Sequence, residues 1–204
     1  MNPAMSLPVP VHDSSDPERR ALLQLAGAAG AAGAAAAAVP MISTLAPSER
    51  AKALGASVEV DIAGLAPGET KVVEWRGKPV WIVRRTAQMI AALADEAGLV
   101  DPASAREQQP DYARNRTRSI RPEVFIAVGI CTHLGCSPST VAAGQAHPGV
   151  PAAWQGGYFC PCHGSTFDGA GRVHRDKPAP TNLEVPPHRY LSDTRLLIGE
   201  DDAA

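Results

Sequence analysis

The sequence predicts a mainly β protein: an N-terminal transmembrane helix, then a small antiparallel β domain with one helix and an inserted subdomain near residues 129–183. Three observations carry that prediction. No Asp, Glu, Lys or Arg occurs from Ala21 to Ser48, a charge-free run of 28 in a chain of 204 residues. Beyond it, short apolar stretches alternate with polar residues and are punctuated by turn formers. All four cysteines then fall in two short segments, each of which also holds a histidine. The length suits one ordinary domain plus an appendage. A net charge of −2 gives no electrostatic case for nucleic acid as a partner.

Residues 1–20 form a polar leader rich in proline and serine that ends in Glu18-Arg19-Arg20. A paired arginine directly ahead of an apolar stretch is the pattern of a twin-arginine export signal. Residues 21–42 can span the ~30 Å hydrocarbon layer as a helix. Eleven of these 22 residues are alanine and three are glycine, so the span is weakly hydrophobic and suited to close packing against other helices. A cleaved signal peptide, with sites such as Ala34-Ala35-Ala36, and a plain alanine linker are the competing readings. The length favours a retained anchor, which leaves the arginines in the cytoplasm and the rest of the chain in the periplasm. Residues 43–56, small, polar and alanine-rich, read from composition as a connector.

The domain proper covers residues 57–204. Val58, Val60 and Ile62 alternate with polar residues, the period of a half-buried strand. Lys71–Trp75 and Pro79–Val83 are further strands, with a hairpin signal at Arg76-Gly77-Lys78. Thr86 can cap a helix whose Ile90, Leu93, Ala94 and Ala97 share a face. Residues 101–121 are polar, carry Pro102 and Pro110, and read as a long surface loop. Val124–Val128 is a strand that leads into the first cysteine segment.

That segment is Cys131-Thr132-His133-Leu134-Gly135-Cys136, and the second is Cys160-Pro161-Cys162-His163-Gly164-Ser165, with 23 residues between Cys136 and Cys160. One Cys and one His from each, as C-x-H and C-x-x-H, make two thiolate and two imidazole ligands. Such a set suits an iron–sulfur cluster or zinc. One cysteine per segment is left over, and the two can pair with each other. A Cys2His2 zinc site uses the same donors, but it needs no extra cysteine pair and is uncommon in exported domains.

The two motifs together resemble the Rieske iron–sulfur subunit of the quinol–cytochrome c oxidoreductases (the cytochrome bc1 complex), and the order of span, tether and domain resembles it as well. The resemblance implies a [2Fe–2S] cluster held by Cys131 and Cys160 on one iron and by His133 and His163 on the other. It implies a disulfide between Cys136 and Cys162, which calls for an oxidising compartment. Leu134 would cover the cluster face, and Ser165 would donate a hydrogen bond to a bridging sulfide. His163 would bond the quinol hydroxyl and take its proton. The partners implied are cytochrome b, a c-type cytochrome (cytochrome c1), quinol and membrane lipid, in a dimeric complex of the bacterial inner membrane, with no turnover by the chain alone. The family keeps its export signal as an anchor, and the resemblance implies that residues 43–56 are a flexible hinge that swings the head between partners.

Two positions depart from the family pattern. Phe167 stands where high-potential members usually carry a tyrosine that bonds a ligand sulfur, which predicts a lower potential here. Lys177 stands where a glycine usually precedes the loop Pro178-Ala179-Pro180, and a lysine adopts glycine's left-handed angles only at a cost. The alternative function is the Rieske subunit of another exported oxidoreductase, of the arsenite oxidase type. Rieske oxygenases lack the extra cysteine pair and need a second iron domain for which 204 residues leave no room. His12, His147, His174 and His188 read as solvated surface, and Trp75, Trp81 and Trp154 as packing.

Overall fold

The computed structural model describes residues 16–48 and 55–202. The leader up to residue 15, with His12, and the middle of the expected hinge therefore lie outside the described residues. The chain separates into two compact units, the N-terminal one and the β domain.

Helix α1 (Pro17–Ser43) is 27 residues long and starts before the expected residue 21. Asp16 explains the early start. Its carboxylate accepts the Glu18 amide at 3.0 Å, and Pro17 fills the first helical position, where a missing N–H costs nothing. Arg19 and Arg20 consequently sit on the helix, not in the polar leader. At 1.5 Å per residue α1 rises ~40 Å, so by length and composition it can cross a membrane.

The β domain holds three small antiparallel sheets. Strands β2 (Thr70–Trp75), β3 (Lys78–Arg84) and β4 (Val124–Val128) form the first, in that order. The turn between β2 and β3 uses Arg76 and Gly77, both with positive φ (52° and 72°), as a two-residue hairpin requires. The second sheet has the order β1 (Val58–Asp61), β9 (Arg195–Ile198), β8 (His188–Tyr190). The third is built inside the insertion from β5 (Ser139–Val141), β6 (Gly157–Phe159) and β7 (Thr166–Asp168).

Side chains alternate across β3 and β4, and each face serves its own core. Val80, Ile82, Val124, Ile126 and Val128 pack with Val60, Ile62, Trp75, Leu196 and Ile198. Trp81, Val83, Phe125 and Ala127 face the other way, toward Cys131, Tyr158, Cys160 and Phe167. A one-residue slip would exchange the two sets, so the register is tightly specified. All three tryptophans are buried as packing, as expected.

Three expectations are corrected. Helix α2 (Ala87–Ala92), capped by Thr86 Oγ1 accepting from the Met89 amide, has only six residues. Asp95 Oδ1 takes the Ala97 amide at 3.0 Å and draws the backbone out of the helix, so of the expected face only Leu93 is fully buried. Residues 101–121 are no mere surface loop: Asp101, Ser104, Gln109, Arg118 and Ser119 point inward. Arg118 is 0% exposed and donates to the carbonyls of Ala170 and Leu183 and to Gln109 Oε1, while Arg85 donates to those of Gly169, Thr117 and Pro122. Burial lowers both guanidiniums to about 10, so both stay charged at neutral pH. Finally, His188 is buried edge-on against Tyr112, His147 lies tilted against Phe159, and His174 lies against Trp154, so none of these three is free surface.

Candidate metal centre

Strand β4 delivers the first loop, and β6 the second. The two close in the same way. In the first, the Cys131 amide donates to the Cys136 carbonyl (2.7 Å) and the Gly135 amide to the Cys131 carbonyl (3.0 Å). In the second, the Cys160 amide donates to the Ser165 carbonyl (2.8 Å) and the Gly164 amide to the Cys160 carbonyl (2.9 Å). The fifth residue of each loop has positive φ, 85° at Gly135 and 75° at Gly164, which only glycine adopts without strain.

These closures bring the predicted donors together. Cys131 and Cys160 are buried free thiols, and the rings of His133 and His163 meet edge to face with centroids 4.7 Å apart. Cys136 and Cys162 form the disulfide, with Cα atoms 6.6 Å apart. The sulfurs of Cys136, Cys160 and Cys162 lie within 4.8 Å of one another. Two of those three are consumed in the disulfide, so the trio is no metal site of its own. It shows instead that the bridge lies against the free Cys160 thiol.

The remaining donors fit a cationic cluster. The Nδ1 of His133 is buried without a hydrogen-bond partner, a lone pair aimed at nothing the protein supplies. Burial pushes the Cys131 thiol above its ordinary value; the His133 amide lowers it, the adjacent Cys160 thiol raises it, and the Ser165 hydroxyl lowers it. A thiol held protonated in this way becomes a thiolate when a metal ion binds it.

Ser165 is fully buried. Its oxygen accepts the Ala179 amide at 3.0 Å, and its hydroxyl is one of the groups that lower the Cys131 thiol. Thr132 Oγ1 donates to the Thr181 carbonyl at 2.7 Å. One segment, residues 177–182, therefore clasps both loops, and the sequence reading missed the roles of Thr132 and the Ala179 amide. Leu134, expected over the cluster face, projects to solvent and is 72% exposed. His163 is exposed and His133 half-buried. Phe167 is buried among the ligands' neighbours. Lys177 does not take the left-handed conformation; Asp176 does, at φ 57°, one residue earlier. Aspartate tolerates that region better than lysine, so the segment turns without the family's glycine.

Two thiols, two imidazoles and a disulfide-tied pair of loops at one end of a small β domain define a Rieske [2Fe–2S] protein. Residues 111–187 match the family model described as the Rieske [2Fe-2S] domain, and residues 10–48 match the one described as the ubiquinol–cytochrome c reductase Fe–S subunit TAT signal. The ubiquinol–cytochrome c reductase iron–sulfur subunit of Allochromatium vinosum is 51% identical over 184 residues, covering 90% of this chain and 88% of that protein. The subunit of the same name from Bradyrhizobium diazoefficiens is 45% identical, covering 90% of this chain and 95% of its own. Among solved structures, a chain of a hyperthermophilic respiratory Complex III is 28% identical and covers 83% of this chain and 95% of that one, with a TM-score of 0.46. The chain belongs to the family of ubiquinol–cytochrome c reductase iron–sulfur subunits.

Proposed function

We propose that this chain is the electron-transfer subunit of a membrane quinol–cytochrome c oxidoreductase, taking one electron and one proton from quinol and passing the electron to a c-type cytochrome. The observation that carries the proposal is the grouping of two buried thiols with two edge-to-face imidazoles at an end of the domain whose tip is exposed. Cys131, Cys160, His133 and His163 would hold the [2Fe–2S] cluster. When bound, it supplies one-electron chemistry at roughly −150 to +300 mV, well above the roughly −400 mV of all-thiolate plant-type ferredoxins.

The chain's own residues do the rest. His163, the more exposed imidazole, hydrogen-bonds the quinol hydroxyl through its outward nitrogen, Nε2, and receives the proton there. Leu134, apolar and projecting beside it, seats the tip in an apolar pocket of the partner and excludes water from that hydrogen bond. Ser165 donates to the Cys131 sulfur and so favours the more negative, reduced state. The bridge between Cys136 and Cys162 and the clasp by residues 177–182 hold both loops in one geometry. The partners are cytochrome b, which contributes the quinol pocket, and cytochrome c1, in a dimeric complex. The chain is anchored in the bacterial inner membrane by α1, with its β domain in the periplasm and the hinge carrying it between partners. It has no turnover alone.

The test is a redox titration of the purified chain followed by electron paramagnetic resonance. A rhombic mixed-ligand signal with a pH-dependent potential supports the reading. Zinc in place of iron, with no such signal, would reduce the site to a structural metal centre.

A further inference from the structure

Away from the cluster loops, α2 and the β5–β6 hairpin leave a cleft of about 670 Å3 between them. That is within the range of small-molecule sites. It runs from Gln88 at the start of α2 to Ala97 past its end, and its walls are apolar, with Met89 and Leu93 on one side and Val141 and Trp154 on the other. Two of the polar groups that reach it are firmly engaged. The Trp154 indole N–H donates to the Val141 carbonyl at 2.9 Å. Asp168 is taken by the amides of Ala170 and Arg172 and by the Arg172 guanidinium at 2.7 Å.

Lys177 also lines the cleft, and it brings the one lysine or arginine among the lining residues. Among the described residues its ammonium makes no hydrogen bond and no ion pair. Asp95 stands on the same rim, with one oxygen on the Ala97 amide, yet no ion pair joins it to Lys177. His174 lies against Trp154, and its buried Nδ1 lacks a partner. The cleft is thus an apolar trough along a helix with one unspent cation at its margin. The clasp on the cluster loops uses Ala179 and Thr181, and neither the trough nor the Lys177 ammonium takes part in it.

We propose that this cleft binds a long-chain carboxylate, its hydrocarbon tail along α2 and its head at Lys177. A trough with aliphatic and indole walls rewards burial of a chain in proportion to apolar area. The charge selects an anionic head over a neutral one, but only by the amount an exposed pair supplies. The tail therefore dominates affinity, and Lys177 sets the class of head.

The probe is radiolabelled laurate, added to the full-length, cluster-loaded protein in discs of zwitterionic lipid, with empty discs as the baseline. One saturable equivalent per chain is expected, with dodecanol binding roughly two- to fivefold more weakly. Lys177→Gln should weaken laurate by the same factor and leave dodecanol unchanged. Ala92→Trp and Ala153→Trp, which fill the cleft from opposite walls, should abolish binding while the cluster's resonance signal and the circular dichroism stay intact. No saturable binding above empty discs, or binding untouched by both tryptophans, overturns the site. Equal binding of laurate and dodecanol, or no effect of Lys177→Gln, overturns the carboxylate assignment.

Discussion

The two cluster loops share one backbone and divide the work differently. Each has six residues, closed by the same pair of hydrogen bonds and turned by a glycine at the fifth position. A buried free cysteine, the proposed ligand, comes first in both. At the sixth position, however, the first loop places Cys136, which bonds covalently to the other loop, while the second places Ser165, whose buried hydroxyl acts on the Cys131 thiol of the other loop. At the fourth position the first loop exposes the apolar Leu134, and the second exposes His163. One template therefore carries a disulfide, a buried hydroxyl, an exposed apolar side chain and an exposed imidazole by exchange of single side chains. The residue before each ligand histidine differs too: Thr132 fastens the first loop to residue 181, and Cys162 fastens the second to the first.

The largest test of that equivalence is removal of either first-position cysteine. Cys131→Ser and Cys160→Ser should each abolish the cluster's resonance signal, because a thiolate on one iron is lost. Retention in one variant would break the symmetry of the loops. Next comes the bridge. The Cys136–Cys162 disulfide closes a loop with a sequence separation of 26, worth ~3.5 kcal/mol by loop-closure entropy. Replacing both cysteines by alanine should lower the melting temperature by roughly 10 °C for a domain of this size, read by circular dichroism.

Two smaller effects separate the electronic side chains. Ser165→Ala removes a donor to the Cys131 sulfur and should lower the midpoint potential by on the order of 40 mV, about 1 kcal/mol for one electron. Phe167→Tyr adds a donor in the same core and should raise the potential by less than that, since the hydroxyl must fit a fully buried site. No rise would remove Phe167 as the cause of a lowered potential. A redox titration reads both.

The smallest effect concerns the opposite core. Burial lowers the pKa of His188 below 6.5 in the folded state. Below pH 6.5 the unfolded chain binds a proton that the folded one refuses, so stability should decline as the pH falls through that value. His188→Phe should flatten the dependence in thermal melts, and a slope unchanged by it would assign the dependence to another group.

Much of this protein is written locally. The donor set, the twin-arginine pattern, the apolar helix, β1 to β4 and the hairpin at Arg76-Gly77 are legible because each depends on residues a few positions apart. The helical face proposed through Ala97 failed for a reason just as local, the turn that Asp95 makes. Other features rest on distant segments meeting. Nothing in the spacing of Arg114, Arg116, Arg118 and Arg121 marks Arg118 as the one that turns inward to carbonyls of residues 170 and 183. Nothing adjacent to Lys177 says that Asp176 will absorb the backbone turn.

The sequence by itself determined the chemistry of the site: which donors exist, in two loops whose spacing and glycines let each close on itself. Only the tertiary structure decided how the loops are held to each other and to residues 177–182, which polar side chains are buried, and where a cleft remains. The physical reason is range. Loop closure is a matter of local dihedrals and hydrogen bonds, whereas burial and cross-loop contacts depend on how far-separated segments pack, and a linear pattern carries only the first.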